Sequence, residues 1–466
     1  MFAITNTLSF VKLYLTTLND QIQLVNPSYQ LSLRQSLWLG FILSALLVTN
    51  TFCWEVYSRA SIGKRKSSAL RWMFRHTKLP WEQLLVFSLK ALLKRYNITE
   101  CILVLDDSDI ARSKNTTKLH AVQKLKDKAS GGFIQGQNIV MLLLVTNKIT
   151  IPVGFDFYQT DPEWLVWKAE DRKLRKSGIS KKDRPDEPIK SPNYPSKLVI
   201  AANLVRNFVS SFPEITVKAL LADCFYGNKG FSDQIKSIDK KMQLISQIRS
   251  NQLVKMLGKK IPVETLFKRY PGVQKVINLR GEDKIVNMYG MRVQVNSYGC
   301  KLMVIALKYE GEDDYRYITA TNLSWRTIDV VSAYTLRWLI EVFFQDWKAH
   351  EGWHCMATQQ GDIGSRRGVV LSLLADHALL LHPEQTNRID AGLPAVTVGT
   401  LSSHVKIEAF LESVKEIINS DHPKSDYEKL SAQLVNLYEF RESRKHLVGL
   451  DMSRFESVPA LEKRYA

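Results

Sequence analysis

Apolar and polar positions change period several times along this chain, and each change marks a predicted element. Between Arg34 and Glu55 there is no charged residue, and Leu37–Val48 is almost wholly apolar. A membrane span needs about 20 apolar residues. Gly40, Ser44, Thr49, Asn50 and Thr51 dilute this stretch, which favours a buried helix. The segment onward to Tyr96 is helical in pattern and basic, through Lys64, Arg65, Lys66, Arg71, Arg75, His76 and Lys78. At Cys101–Asp109 the pattern becomes a short apolar run ending in Asp106, Asp107 and Asp109, a buried strand carrying carboxylates at its C-terminal edge. Gln137–Val145 and Lys148–Phe157 predict two further strands with a turn at Thr146 and Asn147. Residues 168–197, charged and broken by Pro185, Pro188, Pro192 and Pro195, predict a mobile surface segment suited to solubility or to phosphate contact.

A helix at Leu198–Phe212 precedes a second apolar run ending in an acid, Val217–Asp223. Asn228–Lys240 then suits a helix and Met242–Ile248 a strand, completing a β-α-β unit. Lys284–Val295, Lys301–Tyr309 and Tyr315–Thr321 alternate in the manner of antiparallel strands. From Thr327 to Gly352 the period returns to that of one helix of roughly six turns. On it Tyr334, Arg337, Glu341 and Lys348 stand at i, i+3, i+7 and i+14, inside an arc of about 60°, while Leu336, Leu339, Ile340, Phe343 and Trp347 form a core face opposite. Beyond it, Val369–Leu381 is apolar, Val405–Ile418 is amphipathic, and residues 438–445 carry charges of both signs.

Charge narrows the partners. The 466 residues carry a net charge of +18, which favours a polyanion, since neutralising each phosphate releases counterions. The five cysteines (Cys53, Cys101, Cys224, Cys300, Cys355) are scattered, without a C-x2-C pair. That argues against a zinc knuckle or a disulfide framework and fits a reducing compartment. Residues 1–33 lack the features of a signal peptide.

The polar stripe Y-x2-R-x3-E-x6-K, from Tyr334 to Lys348, resembles the signature of the insertion-sequence family four transposases, a branch of the DDE enzymes. The resemblance spans roughly residues 100–355. It implies an α/β chain with an RNase H-like catalytic core interrupted by a β-rich insertion, with helical N- and C-terminal regions. The implied division is a DNA-binding helical region at 1–96, the first part of the core at 97–250, the insertion at 251–325, the return helix at 326–385 and a helical region at 386–466.

In the family the first catalytic aspartate lies on the first strand, commonly followed by one residue and then Ser or Thr. Asp106, before Asp107 and Ser108, fits, with Asp107 and Asp109 as competitors. The second has an aromatic three residues on, as Asp223 has Tyr226, although Phe225 stands where a small residue is usual. Asp106, Asp223 and Glu341 are then the catalytic residues and the ligands of Mg²⁺ or Mn²⁺, as two ions. Tyr334, Arg337 and Lys348 would contact DNA. An insertion aromatic (Tyr289, Tyr298, Tyr309 or Trp325) would stack on a flipped base.

The implied partners are double-stranded DNA at the element's ends and target, and a second copy of the chain, at the nucleoid in the cytoplasm and without a membrane. A domesticated DNA-binding protein, a metal-dependent nuclease and a membrane-anchored interaction protein are the competing readings. Binding alone does not require three converging acids, and a membrane anchor leaves them unexplained.

Overall fold

The computed structural model describes residue 4 and residues 6–113, 116, 118–127, 130–270, 272–279, 281–354 and 360–437. Cys355 and the charged stretch at 438–445 lie outside them. Five helices come first: α1 (Ser9–Val25), α2 (Leu33–Thr49), α3 (Trp54–Ala60), α4 (Ser67–His76) and α5 (Trp81–Arg95). Helix α2 starts on a reciprocal cap, in which Ser32 Oγ accepts from the Gln35 N–H and Gln35 Oε1 from the Ser32 N–H. It ends at Asn50, whose φ of 53° is left-handed. Every residue from Trp38 to Val48 is buried, against α1, α3, and the later helices α12 (Gly361–Leu379) and α14 (Val398–Ile418). Among the described residues no single helix is long and apolar enough to cross a membrane; α2 and α3 reach that composition only together, across a 92° bend. The uncharged stretch is therefore core.

The chain then enters a sheet through β1 (Glu100–Ala111), β2 (Gln123–Lys126), β3 (Phe133–Val145) and β4 (Thr150–Tyr158). Helices α6 (Pro162–Lys176) and α7 (Lys197–Ser211) follow, then β5 (Thr216–Ala222), α8 (Lys229–Ile238) and β6 (Gln243–Ile248). Strands β1, β3 and β4 pair antiparallel, while β5 and β6 run parallel to β1. β3 is buried without a break from Gly136 to Val145, as a strand covered on both faces must be.

The strands after β6 do not form a separate sheet. β7 (Leu253–Met256), β8 (Lys259–Pro262), the short α9 (Val263–Phe267), β9 (Val273–Leu279), β10 (Glu282–Val295), β11 (Cys300–Tyr309) and β12 (Arg316–Ala320) continue the same one. β12 pairs antiparallel with β6, so the order runs β2-β3-β1-β5-β6-β12-β11-β10-β7-β8 through twelve strands in all, with β4 and β9 as additional partners of β3 and β10. This half has its own core, built on Val263, Phe267, Val293, Leu302, Val304 and Tyr317. The architecture is mixed α/β, a large mixed sheet with many helices around it.

Two expectations are corrected. The long polar-striped helix is two helices, α10 (Thr327–Thr335) and α11 (Leu339–His350), joined by a 3-10 turn at Leu336–Trp338. Tyr334, Arg337 and Glu341 nonetheless stay together across this turn, beside Asp106. Gly352, with φ 79°, still ends α11. The second correction is at 168–197: its first part belongs to α6, which Asp161 caps and Pro162 opens. The remaining helices are α13 (Pro383–Asp390) and α15 (Pro423–Leu437).

Two buried polar arrangements bind these layers. Ser88 on α5 meets Tyr14 Oη of α1 at 2.7 Å and His377 Nδ1 of α12 at 2.7 Å, and His377 Nε2 lies 2.9 Å from the Pro152 carbonyl of β4. Burial pushes the His377 pKa down to about 4, so the ring is neutral. At the end of α11, Glu351 is fully buried and neither carboxyl oxygen has an N–H or O–H donor; Asp376 Oδ2 of α12 is in the same position. Desolvation, then the facing Asp376, holds the Glu351 carboxyl well above its usual range. One proton shared between the two acids satisfies both.

Candidate active site

Asp106 does not end its strand. β1 runs on to Ala111, while its parallel neighbour β5 stops at Ala222. Because Leu105 is in register with Ala222, Asp106 and Asp223 follow at the same level on adjacent strands. The apolar runs Leu103–Leu105 and Ala219–Ala222 are buried at 0% exposure and fix that level.

Strand alternation then sorts the acids of β1. Asp106 faces α11, where Arg337 Nη1 lies 3.2 Å from Asp106 Oδ2 and Arg337 Nη2 lies 2.6 Å from Glu341 Oε1. Asp107 and Asp109 face α7. There Asn138 Nδ2 donates to Asp107 Oδ2 at 2.8 Å and to Asp109 Oδ1 at 2.6 Å, and Lys197 Nζ lies 2.6 Å from Asp107 Oδ2. Arg337 thus gathers Asp106 and Glu341, and Asp223 flanks them, while Asp107 and Asp109 are engaged elsewhere.

Burial pushes the Asp106 carboxyl up to about 7, and the neighbouring charges of Asp223 and Asp107 push the same way; the Asp107 N–H and Arg337 oppose them. Tyr334 lies against Arg337, its hydroxyl pushed up to about 12, chiefly by desolvation. The Lys348 ammonium, on the same face of α11 as Glu341, donates to the Asp109 carbonyl at 3.0 Å, tying α11 to β1. Among the described residues, no three Asp, Glu, His or Cys side chains stand close enough together to enclose an ion. The Arg337 guanidinium, between Asp106 and Glu341, is what spaces them.

Three residues of the site were not singled out by sequence. Asn138 and Lys197 hold the unused acids; Asn138 is visible in retrospect as a polar residue inside an apolar strand. Tyr226, noted only as the aromatic after Asp223, is fully buried beneath the acids. Desolvation, then Asp107, Asp106 and Asp223, raises its hydroxyl pKa, and the hydroxyl approaches Asp107 without the geometry of a full hydrogen bond. Gly227 follows because a Cβ there would lie 2.6 Å from the Gln247 carbonyl and 3.0 Å from Ser246 Oγ. Beside the acids, Tyr309, Tyr334, Arg337 and Trp338 line a groove of about 440 Å³. Of the other insertion aromatics, Tyr289 stacks on Tyr270 at 5.3 Å, Tyr298 is buried, and Trp325 packs on the main core.

No protein-family model matches the chain, and no curated protein does. Among solved structures, it is similar to a piggyBac transposase synaptic complex with hairpin DNA, at TM-score 0.39 and 11% identity over 94% of this chain and 87% of that one. It is also similar to the Drosophila P element transposase strand transfer complex, at TM-score 0.23 and 10% identity over 91% and 96%. The NurA nuclease from Sulfolobus solfataricus matches at TM-score 0.21 and 9% identity over 51% of this chain and 72% of that one.

Proposed function

We propose that this chain is an insertion-sequence DNA transposase of the DDE class, acting through Asp106, Asp223 and Glu341 on an RNase H-like core. The observation that carries the reading is the register of β1 and β5. It sets two aspartates level on adjacent strands, with a glutamate brought across by α11 through Arg337. The antiparallel start β1-β3-β4, followed by the parallel unit β5-α8-β6, supports the RNase H-like assignment. The unbroken signature from Tyr334 to Lys348 supports the transposase over a general nuclease.

The donor set suits Mg²⁺ or Mn²⁺: hard carboxylate oxygens, two of them side by side in a partly desolvated place where their charges oppose one another. Asp106, Asp223 and Glu341 would hold one or two such ions, which when bound supply Lewis-acid stabilisation and a deprotonated oxygen nucleophile at neutral pH. The protein's own groups do the positioning. Arg337 offers a planar fork that a backbone phosphate can take over from the two carboxylates. Tyr334 keeps its proton at physiological pH and can donate it in a hydrogen bond to a phosphate oxygen. Lys348 fixes the distance between α11 and the strand carrying Asp106. The DNA would be the element's inverted ends, held by two copies of the chain.

The test is strand cleavage of a duplex bearing the element's terminal repeat, with Mg²⁺, Mn²⁺ or EDTA, comparing wild type with Glu341→Gln. The expected result is a metal-dependent cut at the repeat end, lost in the variant while binding persists. Cutting that ignores the repeat would favour a nuclease, and cutting that survives Glu341→Gln would refute the site.

A further inference from the structure

Helix α6 buries nothing: none of its 15 residues is buried. It is held by its own return segment instead. Arg184 Nη1 pairs with Asp171 Oδ1 at 2.7 Å, Trp164 Nε1 donates to Glu187 Oε1 at 2.9 Å, and Trp167 Nε1 donates to the Pro185 carbonyl at 2.9 Å. A groove of about 750 Å³ separates this arm from α7 and α8. The chain therefore spends ordering entropy on an element that contributes no core, and its use must lie on its outer surface.

That surface is basic. From Arg172 to Lys182 the sequence carries Arg172, Lys173, Arg175, Lys176, Lys181 and Lys182 with no acid among them, and all six are exposed. None has an acidic partner among the described residues, in contrast to Arg184. Both feet of the arm stand at Asp107, the neighbour of Asp106 in β1 that faces α7. One is Tyr158 at the end of β4; the other is Lys197, which lies 5.1 Å from the Tyr158 ring and 2.6 Å from Asp107 Oδ2. The floor of the groove reaches Asn228 and Gly230, a few residues beyond Asp223.

We propose that the arm at residues 162–190 is a backbone clamp for double-stranded DNA flanking the reacting phosphate. This rests on the function proposed above and adds to it the surface that grips the duplex. Fifteen helical residues span about 22 Å, so the grip falls within about one helical turn of DNA from the acids. It reads charge and spacing, not sequence, because phosphates carry no base information.

The test uses full-length protein and a fluorescein-labelled 30-base-pair duplex of arbitrary sequence, with binding read by anisotropy from 50 to 300 mM KCl. The variants are Arg172→Gln/Lys173→Gln/Arg175→Gln/Lys176→Gln and Lys181→Gln/Lys182→Gln, and the control is Lys415→Gln/Lys424→Gln on the C-terminal helices. Because the substituted side chains are exposed and none of them holds the arm to its return segment, the variants are expected to keep the wild-type melting curve. Each lost phosphate contact lowers the slope of log K against log salt by about 0.9. The fourfold variant should thus lose about 2–4 units of slope and bind at least tenfold more weakly at 100 mM KCl, with the control unchanged. An unaltered slope in both arm variants overturns the clamp and leaves the transposase reading standing. A reduced slope in a protein that cuts no DNA in either metal upholds the clamp and removes the catalytic reading. A wild type that binds no duplex overturns both.

Discussion

Replacing Glu351 with glutamine should change how the protein's stability depends on pH. Glu351, fully buried after α11, faces Asp376 of α12, and one shared proton satisfies both. A carboxyl whose folded pKa is raised binds more protons folded than unfolded, so stability falls as pH rises from its unfolded value toward the folded one. The slope is about 1.4 kcal/mol per pH unit for one proton. His377 works in the opposite sense. Its folded pKa is pushed down to about 4 from 6.5, so it adds stability as pH rises between those values and nothing above them. Asp106, pushed up to about 7, contributes a falling slope that is spent near pH 7. Glu351, held well above its usual range, and Asp376, pushed up to about 7, are both raised by desolvation and add a falling slope of their own over the range in which the pair gives up its proton. There wild type should lose about 1.4 kcal/mol per pH unit, roughly 2 °C in melting temperature for a chain of this size. Glu351→Gln keeps the volume, gives Asp376 an amide donor and removes the titration, so its melting temperature should be nearly flat over that range. Asp106→Asn, as a control, should keep the wild-type fall. Thermal melts by circular dichroism at half-unit steps read all three. A wild type whose melting temperature does not fall as pH rises, or a Glu351→Gln variant that falls as steeply, would refute the shared-proton account.

Two further substitutions probe the framework around the acids. Gly227→Ala drives a Cβ to within 2.6 Å of the Gln247 carbonyl; it should cost about 1–3 kcal/mol in urea denaturation and move Tyr226 enough to raise the Tyr226 ring's accessibility to nitration. Ser88→Ala leaves the Tyr14 hydroxyl and His377 Nδ1 buried without partners. It should destabilise by about 2–4 kcal/mol, and a loss under 0.5 kcal/mol would mean that ordered water replaces the serine.

Much of the site was legible because its two strands are apolar runs that end in acids, a pattern that survives without tertiary knowledge. Leu103–Leu105 and Leu220–Ala222 could only be buried, and the acids directly after them stand out against those runs. Period-2 alternation also marked β10, β11 and β12 to within a few residues. The choice among Asp106, Asp107 and Asp109 was less accessible, since it depends on which face of β1 receives α11, and no local pattern states that. The 3-10 turn at Leu336–Trp338 was invisible for a related reason. Its residues are ordinary helix formers, and the turn suits Arg337, which there meets both Asp106 and Glu341. The contact of Lys348 with the Asp109 carbonyl was equally out of reach, because no local pattern says which strand α11 packs against. α6 was hidden by its charge and by the absence of a core face, which is the usual sign of a helix in sequence.

The pairing of β6 with β12 bears on the order in which the protein is made. Asp223 and Glu341 are 118 residues apart, a separation whose closure is slow for a free chain. The strands between them fold against one another on their own core, and β12 then docks beside β6 with the glutamate helix following directly. A ribosome-bound chain would therefore carry its first two acids together, without the third, until synthesis had passed residue 350. An emerging polypeptide could not bring the three acids together before that point.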